Sequence, residues 1–495
     1  MSPDERANNF FAHTVAEQAQ LHTVEVYNSI AYDRVHPRGM ESHGGIVSHS
    51  VFWGMSLIYG LLARAIGFDV ISLLTPLLTV AMSAAVLLIA RWYFSRETSW
   101  LIGSLALMMP GILYFSFRAW HNNMAFVALL VISCCGAVYA LQKTQTIFTR
   151  RLILLLSGAS FGLALLIRPI EFVWMIPILV YLYWYHKEIR KVSLVFMGCG
   201  LLSVLGYSVV TWFLRHPSLE ILNISMTLST GASLPFGNHS SDMIKNVWNY
   251  FGKLQWVHAM LGVGGLSVVL YYRYVRKVTH DVITQYVRLC AACLYVMVAQ
   301  WVAYGIFMFN DSGLGVVSIS NSYVRYWLFA GITLLPLIAI ALETIKDRYE
   351  KWVLVLFSII LIVTAATSMR VVYRGADGVT AMVARQMQYD TSANAVLEYI
   401  PSDAVVLTKS LDKVIFPNRR VMSEAWESPQ MRESIAALQK AGIRVFALYE
   451  QGDAIGALKK NDVWQEKGSD KEMVFEQIYR DETVILYEIF VGGTL

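Results

Sequence analysis

Long hydrophobic runs alternate with short polar connections through most of this chain. A helix that crosses a bilayer needs roughly 17–25 mostly apolar residues, and about ten runs reach or approach that length. They are 70–90, 98–116, 122–141, 151–167, 170–186, 192–214, 254–275, 284–308, 323–343 and 352–369. The pattern predicts an all-α polytopic membrane protein whose transmembrane domain occupies residues 70–370.

Positive charge alternates strictly between the connections. Cytoplasmic loops of membrane proteins are enriched in Lys and Arg, so the basic connections are predicted to face the cytoplasm. They contain Arg91 and Arg96; Lys143, Arg150 and Arg151; Lys187, Arg190 and Lys191; Arg273, Arg276 and Lys277; and Lys346, Arg348 and Lys351. Residues 1–69, 215–253, 309–322 and 370–495 are then predicted to lie on the extracytoplasmic face of a cell membrane.

The first 69 residues are predicted to form an outer-side loop that ends in an interfacial helix. Residues 1–50 are polar and lack the apolar core of a secretion signal. An outer N-terminal segment without such a signal leads us to expect one further transmembrane helix upstream of this sequence. The apolar stretch Val51–Ile66 is interrupted by Gly54, Gly60 and Arg64, and it is predicted to lie in the membrane interface.

Residues 371–495 carry more charge and shorter apolar runs. Ala404–Thr408, Arg444–Tyr449 and Thr483–Tyr487 are typical of buried strands, and a helical pattern runs from Pro429 to Ala441. Strands that alternate with helices predict a small extracytoplasmic α/β domain with a partly parallel sheet. The domain has no Gly-rich phosphate motif, so no nucleotide is predicted.

Composition agrees with a membrane protein. Hydrophobic residues make up 56% of the chain and charged residues 15%, against roughly 25% charged residues in soluble domains. The net charge of +5 is not gathered into a basic stripe with interleaved aromatic residues. No nucleic-acid partner is therefore predicted, and membrane lipids are the expected surroundings.

Four groups of polar residues fall on the predicted outer side, near the ends of spans. They are Asp4 with Glu5; Arg118 with His121, Asn122 and Asn123; Arg168 with Glu171; and Arg325 with Tyr326. Ionisable residues at membrane depth are costly unless paired or hydrated, which makes them candidates for function. A carboxylate that activates an acceptor, with arginines that bind phosphate bidentately, suits transfer from a lipid-linked phosphate.

Each group also has a structural interpretation. Arg118 and Arg325 could extend to lipid headgroups, and Glu171 could be an internal ion-pair partner of Arg168. Three unevenly spaced histidines, His36, His43 and His49, are a weak metal signal. A divalent metal ion therefore stays open as a cofactor, and no other cofactor is predicted.

The order of several motifs resembles that of GT-C glycosyltransferases, above all the dolichyl-phosphate-mannose protein mannosyltransferases and the lipid A aminoarabinose transferases. The resembling segments are His36–Gly60, Ala90–Phe94, Pro110–Arg118, Ser157–Pro169, and Arg325-Tyr326 followed by Pro336. The resemblance extends over about residues 1–370 and lies in the order of the motifs.

This resemblance implies roles for the polar groups. Asp4 would be the general base and Glu5 would assist it, with the expected upstream helix ending just before them. The substrate-binding residues would be Arg118, His121, Asn122, Arg168, Arg325 and Tyr326, together with His36 and Arg38. The family often has a second acid where this chain has His121-Asn122-Asn123, which weakens the case for a metal site that needs two acids.

The leading hypothesis is a membrane glycosyltransferase. It would move a hexose or pentose from a polyprenyl- or dolichyl-phosphate donor to an extracytoplasmic lipid, glycan or protein acceptor. A transporter or lipid flippase is a second hypothesis, although no internal repeat is visible and the polar groups gather at one face. A third hypothesis is a scaffold without catalysis that presents the C-terminal domain.

Overall fold

The computed structural model describes residues 2–50, 52–141, 146–185, 189–215, 244–245, 247–276, 281–305, 318–320, 322–423, 428–451, 463–465 and 472–491. The chain divides into two compact units. We call Met1–Ile71, Ser208–Asn223 and Val383–Leu495 the sheet unit, and Ser72–Tyr207 with Ile224–Met382 the helix unit.

The described α-helices are numbered in chain order. They are α1 Pro3–Gln18, α2 Gly54–Ile66, α3 Phe68–Ile71, α4 Leu74–Arg91, α5 Arg96–Leu107, α6 Pro110–Ser116, α7 Asn122–Ala140, α8 Ile147–Ile167, α9 Phe172–Tyr185, α10 Arg190–Arg215, α11 Trp256–Leu270, α12 Asp281–Gly305, α13 Ser322–Tyr326, α14 Leu328–Arg348, α15 Val353–Arg374, α16 Val379–Leu397, α17 Asp412–Ile415 and α18 Pro429–Lys440. The described strands are β1 His22–Val24, β2 Met40–His43, β3 Ile46–His49, β4 Val405–Leu407, β5 Arg420–Met422, β6 Val445–Glu450, β7 Val463–Gln465, β8 Glu472–Arg480 and β9 Val484–Val491.

The described residues include seven helices long and apolar enough to cross a membrane, or up to nine if two bent pairs each count as one span. A helix stands at each predicted span, and the shorter apolar helix Pro169–Trp184 occupies the predicted span 170–186. The prediction of a polytopic helical membrane protein is therefore confirmed.

Two of the predicted spans are not single straight helices, and a third begins at a sharp bend. The span 98–116 is α5 followed by α6, bent by 58°, and Pro110 begins the second piece because proline has no N–H to give to the preceding turn. A bend of 102° separates the π-helical turn Trp248–Leu254 from the helix Trp256–Val275, which fills the predicted span 254–275. The span 323–343 begins with the separate short helix α13, so the long helix starts only at Leu328.

Hydroxyl groups join neighbouring helices of the helix unit. Ser133 Oγ of α7 donates to the Ser157 carbonyl of α8 at 2.8 Å, and Ser160 Oγ of α8 donates to the Leu129 carbonyl at 2.9 Å. Ser83 Oγ of α4 donates to the Gly103 carbonyl of α5 at 2.7 Å. Such bonds stabilise helix pairs inside a membrane, where water offers no alternative partner.

The N-terminal segment that was predicted as a loop is folded. Helix α1 begins with a capping box, in which Ser2 Oγ accepts from the Glu5 N–H at 3.3 Å and Glu5 Oε2 accepts from the Ser2 N–H at 2.6 Å. Strands β1, β3 and β2 follow and pair antiparallel in that order. Hydrophobic periodicity misses these strands because each has only three or four residues.

Helix α2 occupies the stretch predicted as an interfacial helix. It packs closely on α1, since a Cβ atom at Gly60 would lie 2.7 Å from the Ala12 carbonyl oxygen. Its other face is apolar and exposed, with Leu61 and Ile66 each 52% exposed. An apolar exposed face on an amphipathic helix is the feature that binds a membrane interface.

The C-terminal part of the sheet unit contains a six-stranded mixed sheet in the order β5-β4-β6-β9-β8-β7. Strand β4 pairs parallel with β5 and with β6, and the remaining neighbours pair antiparallel. Helices α16 and α18 supply buried residues to its two faces, including Val396 and Ile435. The predicted partly parallel α/β domain is confirmed.

The N-terminal segment and the C-terminal sheet share one core. Ala31 and Val35 pack among Met422, Met431 and Ile435 in a single buried cluster. The Arg6 guanidinium donates to the Lys413 carbonyl, with Nη2 at 2.6 Å. Two segments that fold into one core lie on the same side of a membrane.

Candidate functional site

Asp4 and Glu5 lie in the first turn of α1 and differ in their surroundings. Asp4 is exposed, and Glu5 is buried with its carboxylate in the capping box. The start of a helix favours negative charge because its unsatisfied N–H groups and dipole point there. Although the two acids are adjacent in sequence, the Glu5 carboxylate is occupied by its hydrogen bond at the start of the helix.

The turn at Gly39 fixes the backbone that carries Asp4. Gly39 has φ +82°, and a Cβ atom there would lie 3.0 Å from the Pro3 carbonyl oxygen and 3.4 Å from the Asp4 nitrogen. Only glycine fits this left-handed turn and close approach without strain. The structure thus brings the turn that follows Arg38 against the helix start that carries Asp4.

Arg38 forms an ion pair with Asp412 of α17. Arg38 Nη2 lies 2.7 Å from Asp412 Oδ1, its backbone N–H donates to Oδ2 at 2.9 Å, and Nη2 also donates to the Ser410 carbonyl at 2.8 Å. The Asp412 side chain is 1% exposed. These contacts join the N-terminal segment to the C-terminal part of the sheet unit.

The three histidines considered as metal candidates have separate surroundings. His49 is buried, with Nε2 2.7 Å from Ser56 Oγ, and burial lowers the pKa of His49 to about 3. His36 Nδ1 lies 3.2 Å from the Pro37 carbonyl oxygen, and His43 Nε2 lies 3.7 Å from Glu41 Oε2. Within the described ranges, no group of three or more His, Cys, Asp or Glu side chains is placed to hold a metal ion.

Arg168 is the centre of a buried polar network in the helix unit. Its Nε donates to Glu171 Oε1 at 2.7 Å, Nη1 to Asn123 Oδ1 at 2.6 Å, and Nη2 to Tyr304 Oη at 3.3 Å. Glu171 also accepts from Trp174 Nε1 at 2.6 Å. The ion pair between Arg168 and Glu171 is therefore present, and both side chains are almost fully buried.

Asn123 connects this network to the segment that carries Arg325. Asn123 Oδ1 accepts from Arg168, and Nδ2 donates to the Arg325 carbonyl oxygen at 2.9 Å. Both halves of the amide are thus in use. Asn123 at the start of α7 and Arg168 at the end of α8 together hold the backbone carbonyl group of Arg325 in place.

Tyr326 lies between two guanidinium groups and a second tyrosine. The Cζ atoms of Arg168 and Arg325 lie 4.9 Å and 5.2 Å from its ring centroid, and the Tyr304 ring stacks on it at 5.2 Å. Cations over an aromatic face are stabilised by the ring quadrupole. Arg325 is therefore held at its carbonyl by Asn123 and at its side chain by Tyr326.

Asp377 anchors the residues just before α13. Its Oδ2 accepts from Ser318 Oγ at 2.6 Å and from Ser320 Oγ at 3.0 Å. This buried carboxylate was not singled out from the sequence, because it follows α15 and is distant in sequence from the segment it binds. These hydrogen bonds hold in place the residues that lead into α13, the helix that carries Arg325.

Arg118, His121 and Asn122 cluster around Phe115 and the start of α7. The His121 ring stacks on Phe115 at 4.2 Å, and Arg118 Cζ lies 5.8 Å from the same ring centroid. His121 and Asn122 are buried, while Arg118 is half-buried. The adjacent Asn123 belongs to the Arg168 network, so the start of α7 contributes to both clusters.

No family model and no curated protein sequence matches this chain. Among solved structures, ArnT from Cupriavidus metallidurans in the apo state is similar at a TM-score of 0.58 and 11% identity, over 98% of this chain and 93% of that chain. The same enzyme bound to undecaprenyl phosphate gives 0.57 and 13%, over 100% and 94%. The Archaeoglobus fulgidus oligosaccharyltransferase in the apo form gives 0.51 and 10%, over 90% and 65%.

These similarities concern the fold, because the identities are low. ArnT, a lipid A aminoarabinose transferase, and the archaeal oligosaccharyltransferase are both GT-C enzymes. The chain therefore has the fold of the GT-C superfamily, as the motif order predicted.

Proposed function

We propose that this protein is a membrane glycosyltransferase that uses a polyprenyl-phosphate-linked sugar. The observation that carries the proposal is the extent of the match to ArnT. It spans nearly the whole of both chains, and ArnT has been captured with undecaprenyl phosphate. The acceptor is a lipid, glycan or protein on the extracytoplasmic face, and the transferred sugar is a hexose or pentose.

In the proposed reaction, an acceptor hydroxyl or amine attacks the anomeric carbon of the donor sugar. The bond from that carbon to the acceptor forms while its bond to the phosphate oxygen breaks, and polyprenyl phosphate leaves. Asp4 accepts the proton that the acceptor loses. Glu5 supports Asp4 by holding the first turn of α1, because its own carboxylate is engaged with the Ser2 N–H.

Arg325 is proposed to bind the donor phosphate, with Arg118, His121 and Asn122 as further substrate contacts. A planar guanidinium suits phosphate because it offers parallel N–H donors. Arg168 is proposed to position neighbouring site residues rather than to bind the substrate, since its Nε, Nη1 and Nη2 already donate to protein atoms. Tyr326 supports Arg325 through its ring, and Arg38 stabilises the sheet unit through Asp412.

The test is transfer of a labelled sugar by the purified chain in nanodiscs, from polyprenyl-phosphate hexose or pentose to a membrane extract. Asp4→Asn is expected to lower turnover by about 10²–10⁴-fold, the usual contribution of a general base. Glu17→Gln, an exposed acid on the same helix, is the matched control and should leave turnover unchanged. Near-normal transfer by Asp4→Asn would remove Asp4 from the mechanism.

A transporter or flippase is the second candidate, and the two bent helix pairs favour it. Broken helices near the middle of a membrane are frequent in transporters. The same nanodisc preparation distinguishes the two functions. A flippase moves the labelled lipid intact between leaflets, whereas a transferase releases polyprenyl phosphate.

A further inference from the structure

A cleft of about 280 Å³ lies within the sheet unit, between α1, β1 and the start of β5. None of the proposed catalytic groups lines it. Small-molecule sites usually have volumes of about 300–1,000 Å³, and this cleft lies just below that range, so it suits a small ligand of one or two rings. Its lining includes Phe10, Thr23, Glu25, Ser402, Phe416 and Asn418.

The charged groups at this cleft are already compensated. Arg420 Nε lies 3.0 Å from Glu25 Oε1, and its Cζ lies 4.4 Å from the Tyr27 ring centroid. Arg419 uses Nε, Nη1 and Nη2 to donate to the carbonyl oxygens of Ile400, Asn418 and Leu397. The positive charge at this cleft is therefore already partly balanced by protein groups, which favours an uncharged ligand.

Three uncharged polar side chains supply hydrogen bonds instead. Thr23, Ser402 and Asn418 line the cleft, and across the described part of the chain their hydroxyl and amide groups make no hydrogen bond to protein atoms. A hydroxyl both donates and accepts, and an amide offers two donors and one acceptor. Sugar hydroxyl groups also donate and accept hydrogen bonds, so they match the three uncharged polar side chains of the cleft.

Apart from His36, the rest of the lining is apolar and partly aromatic. The Phe10 and Phe416 rings meet edge to face with centroids 4.8 Å apart, and Val35, Pro37 and Val421 complete this surface. The negative face of an aromatic ring attracts C–H groups. A sugar ring has such an apolar C–H face beside its hydroxyl groups.

We propose that this cleft binds a neutral saccharide of one or two residues. A peptide that added a strand to β5 would need its outer edge, and that edge is occupied at Met422 by a parallel bridge to His36. The saccharide would be the glycan part of the acceptor, an assignment that rests on the proposed function. The binding itself does not depend on transfer activity.

The test uses the full chain in nanodiscs without any donor lipid. Saturation-transfer NMR and titration compare methyl glycosides of mannose, galactose and N-acetylglucosamine, and chitobiose, with a hexose 1-phosphate and a neutral hexapeptide. At least one neutral saccharide is expected to bind saturably. Asn418→Ala and Thr23→Val should each weaken it by roughly 3–10-fold, the effect of one lost hydrogen bond.

Ser29→Ala removes an exposed hydroxyl of the same unit outside the cleft and is the matched control. Thermal unfolding of each variant verifies that it folds. The proposal is overturned if no neutral saccharide binds, if binding survives both cleft substitutions, or if the phosphate or peptide binds better. Saccharide binding without transfer would count against the proposed function only, and transfer without such binding against this proposal only.

Discussion

The link from Arg168 through Asn123 to Arg325 gives the sharpest prediction. Asn123 Oδ1 accepts from Arg168 Nη1 at 2.6 Å, and Nδ2 donates to the Arg325 carbonyl at 2.9 Å. Asn123→Asp keeps an acceptor for Arg168 and removes the donor to Arg325. Asn123→Ala removes both. The two variants therefore separate the positioning of Arg325 from the stability of the buried network.

The magnitudes follow from the kinds of hydrogen bond. The bond to the Arg325 carbonyl joins neutral groups and contributes about 0.5–1.5 kcal/mol, whereas the bond from the Arg168 guanidinium contributes about 1.5–3 kcal/mol. Asn123→Ala is expected to lower the free energy of unfolding by about 2–4 kcal/mol. Asn123→Asp keeps the bond from Arg168, so it is expected to lower the free energy of unfolding by only about 0.5–1.5 kcal/mol and to weaken donor affinity by about 2–12-fold.

The assay is a titration of the purified protein in nanodiscs with polyprenyl-phosphate sugar, with denaturant unfolding in parallel. Ser133→Ala is the matched control, because it removes a buried interhelical hydrogen bond from the same helix α7. It should lower stability without changing donor affinity. Donor affinity within twofold of the parent in Asn123→Asp, or an equal loss in Ser133→Ala, would refute the positioning argument.

Three further predictions concern the sheet unit. Gly39→Ala should lower the free energy of unfolding by about 1–3 kcal/mol and reduce turnover, because it adds a steric clash with the start of α1 to the backbone strain of φ +82°. Gly44→Ala is the control, at φ +60° with open space around its Cβ. It should show the backbone strain in unfolding assays but keep turnover. His49 has a pKa of about 3, below its unfolded value of 6.5, so only the unfolded state gains its proton as pH falls from 6.5 to 3. Stability should decline from this group with a slope that steepens below pH 6.5 toward about 1.4 kcal/mol per pH unit, and His49→Gln should flatten that slope in unfolding measured at pH 7, 6 and 5. Arg38→Met should lower the free energy of unfolding by about 3 kcal/mol, because it leaves the buried Asp412 carboxylate without its ion-pair partner, while donor affinity stays at the parent value.

The distribution of hydrophobic residues determined much of the architecture. A helix lies at every predicted span, because a long apolar run can satisfy its backbone in lipid only as a helix. The strand–helix pattern of residues 404–487 likewise determined a mixed sheet, with β4 parallel to its two neighbours. The pattern did not determine the bends of 58° and 102°, since hydrophobicity measures burial and not direction.

The sequence also selected several residues of the candidate site but not their roles. Arg168 and Arg325 stood out as charges near membrane depth, and Glu171 was recognised as a partner for the first. Tyr304 and Asp377 did not stand out, and Asn123 was noted without a role of its own, because neutral polar residues and a single acid are common at helix ends. Their importance comes from which atoms they contact.

Only the tertiary structure decided how these side chains are used. Arg38 and Asp412 are 374 positions apart, and no periodicity along the chain relates them. Glu5 lies beside Asp4 in sequence, yet the capping box engages one carboxylate while the other stays exposed. The hydrophobic pattern along the sequence predicts which residues are buried. Hydrogen bonds between distant segments depend on where folding brings them, and that is set by the packing of the whole unit.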